Sequence, residues 1–169
     1  MPDIAFRLAT IADVEPLCAL VQRAYRGDTA RQGWTHEADL LDDQRTTPDS
    51  LASTIADPGS RVLVAESADT LIGTVTVSQL GETRAYMSML CVDPGLQAAG
   101  LGRNLIARCE RAAHDDFGAT IMEMTVIDKR PELIAFYQRC GYALTGETRP
   151  FPVPGDHPFG MVVLERSVG

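Results

Sequence analysis

The sequence predicts an α/β fold of mixed α+β character. It calls for a central, mostly antiparallel sheet of about six to seven strands, flanked by about four helices, with one parallel strand–helix–strand crossover. Three observations predict it. Two β-patterned runs, RVLVAES (61–67) and LIGTVTVSQL (71–80), are joined by the short turn ADT, which is a hairpin signal. Residues 86–127 alternate strand, helix and strand, the layout of a parallel crossover. After one further helix, two late strands follow on either side of a Pro-rich loop (149–158).

Each element has its own local signal. IAFRLA (4–9) is β-patterned. Asp13 is placed to cap a helix, Pro16 falls in its first turn, and Leu17, Leu20, Val21 and Ala24 form its apolar stripe. A polar stretch from Gly27 to Arg45 contains GWTHEADLL, with Thr35 as the cap of a short helix. TPDSLASTIAD (47–57) opens with Thr and then Pro, the N-cap and first-position preferences of a helix. YMSMLCV (86–92) is a strand stopped by Pro94. Leu101, Leu105, Cys109 and Ala112 recur at helical spacing between Gly100 and Phe117, and Gly118 closes that helix. TIMEMTVI (120–127) is a strand, PELIAFYQRC (131–140) a helix with Pro first and Gly141 after, and YALTGE and FGMVVLER are the last two strands.

A chain of 169 residues favours one domain, 1–169. Its net charge of −8 argues against a nucleic-acid surface, which needs clustered Lys and Arg, and favours cationic partners such as amines. Cys18, Cys91, Cys109 and Cys140 form no C-x-x-C pair, and His36, His114 and His157 lie far apart, so no metal site is expected. No run reaches the roughly 18 apolar residues that span a bilayer, and MPDIAFRLAT lacks the layout of a signal peptide. The expectation is a cytoplasmic protein without membrane association.

The segment VDPGLQAAGLGRNLI (92–106) carries the chemistry. It feeds a strand into a helix whose first turn holds Gly100 and Gly102. The leading amides of a helix have no internal partner and sit at the positive end of its dipole, so a Gly-rich first turn suits a phosphate. Arg103 stands ready to add a charge-assisted contact. The chain has no G-x-x-x-x-G-K-[ST] loop, and the dinucleotide fingerprint G-x-G-x-x-G fails at Leu105.

LCVDPGLQAAGLGRNLI resembles the acyl-CoA motif of the GNAT superfamily of N-acetyltransferases: strand, V-x-P, Q/R-x-x-G-x-G/A, helix. RPELIAFYQRCGYALTGE resembles the second motif of that superfamily, and the order of elements is similar over nearly the whole chain. The resemblance implies acetyl-CoA as co-substrate, with its pyrophosphate on Ala98, Ala99, Gly100, Leu101, Gly102 and Arg103 and with Gln97 leading in. The pantetheine arm would lie along Leu90, Cys91 and Val92, where two strands splay, and an amide there would polarise the thioester carbonyl. Tyr137 matches the tyrosine that protonates the departing thiolate; a phenol of pKa about 10 can donate to a thiolate whose acid has pKa about 8.5. Arg130 stands where the family commonly has asparagine, and its guanidinium has the reach of a phosphate.

The resemblance also implies a general base, and the family's glutamate at the head of the CoA-contacting strand is missing from RAYMSML (84–90). Glu123, which alternates with Met122 and Met124, is the substitute, with His36 and Glu37 as alternatives. Trp34, His36 and Glu37 fall in the segment expected to frame the acceptor. Cys91 beside a thioester reads as a small apolar strand residue rather than a nucleophile. The expected acceptor is a small-molecule amine that attacks directly. A non-catalytic acyl-CoA-binding module, or an acetyltransferase acting on protein N-termini or lysines, is the alternative. Dimers are common in the family, which makes a homodimer compatible with this reading.

Overall fold

The computed structural model describes residues 3–25, 47–93, 100–150 and 160–169. The short helix expected at Thr35 and most of the Pro-rich loop lie outside them. The elements are β1 (Ala5–Leu8), a 3-10 turn (Ile11–Asp13), α1 (Val14–Tyr25), α2 (Pro48–Ala56), β2 (Ser60–Ser67), β3 (Thr70–Leu80), β4 (Arg84–Val92), α3 (Leu101–Phe117), β5 (Ile121–Ile127), α4 (Pro131–Arg139), β6 (Ala143–Arg149) and β7 (Met161–Ser167). The strands form one seven-stranded sheet in the order β1-β2-β3-β4-β5-β7-β6. Of its neighbouring pairs only β4–β5 is parallel. The mixed sheet with a single crossover through α3 is the one the sequence predicts.

Most local signals operate as read. Thr47 caps α2, accepting from the Ser50 amide at 3.2 Å. The β2–β3 hairpin turns through Ala68 and Asp69, both at positive φ (50° and 63°), the handedness that matches strand twist. The first helix is the exception. Asp13 is not its N-cap; Thr10 is the N-cap of a 3-10 turn that runs into α1, and Asp13 stands at the N3 position of its capping box. The Asp13 carboxylate instead accepts from the Thr10 amide at 2.7 Å and from Arg7 on β1 at 2.8 and 3.0 Å. Those Arg7 hydrogen bonds outweigh the cost of burial and hold its pKa down at about 2.

The sheet is covered on both faces at its centre. Leu17, Leu20 and Val21 of α1 and Leu51 of α2 pack with Val62, Val64, Leu71 and Cys91 on one side. On the other, Leu101, Leu105, Ile106 and Cys109 of α3 and Tyr137 of α4 pack with Val75, Val77, Met87, Met122, Met124 and Val126. Double coverage explains why β3 is buried continuously from Leu71 to Val77 rather than alternately. Cys109 is one of the free thiols; burial pushes its pKa up, so it packs as an apolar side chain. Among the described residues no helix is long and apolar enough to cross a membrane.

Candidate active site

The site grows from the one parallel pair. The β4–β5 register covers Arg84–Ile121, Ala85–Met122 and Tyr86–Glu123 and goes no further, although both strands continue. Past that vertex β4 carries a bulge. Thr74 pairs Cys91 and Thr76 pairs Ser88, so Met89 and Leu90 together face the single residue Val75. Met89 takes φ 57°, which costs a side-chain-bearing residue about 1 kcal/mol or more. The bulge bends β4 and resets its alternation. Met89 and Cys91 then pack toward α1 and α2, while Leu90 and Val92 pack toward α3 and α4. Residues 90–92, expected to line the arm of the co-substrate, thus stand on the length of β4 that has left its parallel partner.

The helix that follows starts on a glycine. Gly100, the N-cap of α3, sits at φ 75° and ψ 8°. A Cβ there would meet nothing within 4 Å, so glycine serves the backbone angle and not space. The main-chain bond Asn104 N to Gly100 O, 3.3 Å, opens the helical ladder and leaves the amides of residues 101–103 without an intrahelical acceptor. The first turns of α1, α2 and α4 carry Glu15, Asp49 and Glu132. The first turn of α3 carries no acid and has the exposed Arg103 instead. Among the described helices, α3 alone offers an N-terminus whose dipole no carboxylate already neutralises.

Gly102 plays a different part. A Cβ on it would lie 3.8 Å from Phe136 Cζ and 3.9 Å from Val92 Cγ2, ordinary contacts. We expect Gly102→Ala to leave stability unchanged or slightly raised, since alanine is the better helix residue. Gly100→Ala should cost about 1–2 kcal/mol because its φ is left-handed. Urea denaturation of the two variants side by side measures the difference, and equal costs would contradict the assignment.

The same contacts show that the end of β4, the first turn of α3 and α4 converge at Gly102. Arg103 lies over the Phe136 ring, 6.0 Å from its centroid. Tyr137, the next residue on α4, is buried, in edge-to-face contact with Phe136 at 5.2 Å and with Tyr142 at 6.1 Å. A Schellman closure fixes its place: the Tyr142 amide donates to Tyr137 O and the Gly141 amide to Gln138 O, each at 3.0 Å. Arg130 is the N-cap of α4; its buried guanidinium donates through Nε to Glu132 Oε1 at 2.9 Å.

Glu123 stands on the face opposite Met122 and Met124, as its alternation predicts. It does not open onto solvent. It is 5% exposed, accepting from Arg84 Nη1 at 3.4 Å and from Arg149 Nη1 at 2.9 Å. Arg84 continues to Glu165 at 2.9 Å, so an alternating chain of charges crosses the sheet at the vertex. The pairing raises the pKa of Arg149, chiefly through Glu147 and then Glu123. Trp34, His36, Glu37, Gln97, Ala98 and Ala99 lie outside the described residues. The sequence reading missed Tyr86, whose hydroxyl bonds Thr125 across the vertex at 2.6 Å. It also missed the bulge, although the apolar run Met89-Leu90-Cys91-Val92 breaks the alternation of Met87 and Met89 and marks it.

The site thus combines a seven-stranded mixed sheet that splays at one parallel pair with a Gly-capped helix N-terminus at the open end. The family model described as "Acetyltransferase (GNAT) family" matches residues 17–142. The chain belongs to the GNAT acetyltransferase family. A blasticidin-S acetyltransferase of Streptomyces morookaense is 39% identical over 70 residues, which are 41% of this chain and 49% of that protein. The chain thus spans about half the length of this curated relative. Among solved structures, the ribosomal-protein-S18-alanine N-acetyltransferase of Escherichia coli superimposes with TM-score 0.76 at 15% identity, covering 99% of this chain and 95% of that one. A spermidine N-acetyltransferase of Vibrio cholerae, in complex with CoA and spermine, superimposes with TM-score 0.71 at 18% identity, covering 98% and 95%. These two likenesses concern the fold.

Proposed function

We propose that this protein transfers the acetyl group of acetyl-CoA to a primary amine of a small molecule by direct attack. One observation carries the reading: Val92, Gly102 and Phe136 meet at the open end of the β4–β5 slot, with Tyr137 beside them. These contacts support the reading by setting the end of β4, the first turn of α3 and the Phe136–Tyr137 pair side by side. Acetyl-CoA, when bound, supplies the thioester that the amine attacks.

The residues divide the work. The leading amides of α3 and the Arg103 guanidinium take the pyrophosphate, which suits the absence of acid in that turn. The backbone of Leu90, Cys91 and Val92 orients the arm and polarises the carbonyl. As the amine nitrogen bonds the acetyl carbon and the carbon–sulfur bond breaks, the Tyr137 phenol donates its proton to the departing sulfur, and the proton the nitrogen loses returns to the phenolate through solvent. Glu123 reaches the vertex with its carboxylate already engaged by Arg84 and Arg149, and we assign it to holding the strands there rather than to taking a proton. Cys91 packs among Leu17, Leu20 and Val64 and needs no covalent role. A small amine is supported by the net charge of −8 and by the blasticidin-S relative.

Calorimetric titration with acetyl-CoA tests the site. We expect saturable binding that Arg103→Glu weakens at least about tenfold, since the substitution sets a like charge against the phosphates. A wild-type protein that does not bind acetyl-CoA would remove the helix N-terminus from the account.

A further inference from the structure

We infer that Tyr86 and Thr125 form the stop that limits the length of the acyl chain, an inference that rests on the acetyl-CoA reading above. The main-chain register of β4 with β5 ends at Tyr86–Glu123. Beyond it the strands part, yet Tyr86 and Thr125 share a hydroxyl–hydroxyl hydrogen bond of 2.6 Å that crosses the gap. On the other side of the last registered pair, Arg84 and Glu123 bridge the same two strands at 3.4 Å. The vertex is therefore closed by side chains both before and after the point where the backbones separate.

This closure has a direction. Glu123 and Thr125 share the sheet face opposite Met122 and Met124, and Tyr86 reaches them from β4. Glu123 is buried, while Tyr86 and Thr125 are half-buried and stand past the last registered pair, so among the described residues a group advancing along the slot meets the hydroxyl pair before it meets Glu123. A hydroxyl pair at 2.6 Å is at the short end of the hydrogen-bond range and does not part without loss of the bond. An acetyl group stops short of it. An added pair of methylenes has to displace the Tyr86 ring or break the bond, and a closed site of this kind discriminates by about tenfold or more per misfit group.

Acyl-chain selectivity in binding tests this without needing the amine. Dissociation constants for acetyl-CoA and butyryl-CoA are measured by calorimetry on wild type, Tyr86→Phe, Thr125→Val and Thr125→Ser. We expect wild type to favour acetyl-CoA by about tenfold or more. Tyr86→Phe and Thr125→Val should bring the ratio to within about twofold, chiefly through tighter butyryl-CoA binding, while Thr125→Ser, which keeps the hydroxyl, retains the wild-type ratio. A wild type that binds both equally, or variants with an unchanged ratio, overturns the inference while leaving the acetyl-CoA reading intact. Failure of wild type to bind either ligand overturns both. Variants that lose acetyl-CoA binding as well, with Thr125→Ser failing alike, would show a purely structural role and also overturn it.

Discussion

Tyr137→Phe should lower kcat by about a hundredfold or more while leaving the affinity for acetyl-CoA within about twofold. The phenylalanine keeps the ring, its edge-to-face contacts with Phe136 and Tyr142, and its place in the core. The substitution removes the hydroxyl proposed as proton donor, and a positioned general acid contributes typically 10²–10⁴-fold. The ladder of α4 holds that donor: the Schellman closure at Gly141 ties the Tyr137 carbonyl to Tyr142. Steady-state kinetics with saturating amine, paired with calorimetry, separate the two effects. Unchanged kcat would assign the proton to another group, and a parallel loss of binding would make Tyr137 a packing residue.

The second large effect concerns the fold beneath the site. Gly73 lies on β3 under α3. A Cβ there would stand 2.9 Å from Leu105 Cδ1, 3.3 Å from the Cys91 carbonyl oxygen and 3.4 Å from Leu101 Cδ2. Glycine permits this close approach of helix to sheet. The Leu105 end is flexible, so Gly73→Ala should cost about 1 kcal/mol; the two further methyl groups of Gly73→Val should cost about 3 kcal/mol or more, as overpacking does. Because Leu101 and Leu105 belong to the first two turns of α3, the valine variant should also weaken acetyl-CoA binding by moving the helix N-terminus. Urea denaturation and calorimetry read the two effects. A stable valine variant with wild-type binding would contradict the packing described.

Much of this was legible in the sequence, and for physical reasons. Gly100 and Gly118 bracket α3 because both take left-handed angles that glycine alone adopts without cost. Thr47 and Pro48 announce α2 because capping and the fixed proline angle act locally. What escaped was non-local. Asp13 carries the signature of an N-cap, but Arg7 on β1 and the Thr10 amide claim its carboxylate. Glu123 shows strand alternation, which tells the face and not the partners; Arg84 and Arg149 arrive from β4 and β6, and burial follows from them. The Tyr86–Thr125 bond joins residues 39 positions apart, and no spacing rule reaches that far. The two motifs point to the co-substrate end proposed above, whereas the vertex is visible only in the fold.

The most direct test of the central claim is release of the CoA thiol from acetyl-CoA in the presence of single amines: spermine, amino acids, an aminoglycoside and a short peptide. Release should depend on the added amine, saturate with it, and be strongest with a small cationic molecule. Tight binding of acetyl-CoA with no release above the amine-free rate for any of them would contradict it and leave a protein that holds the co-substrate without using it.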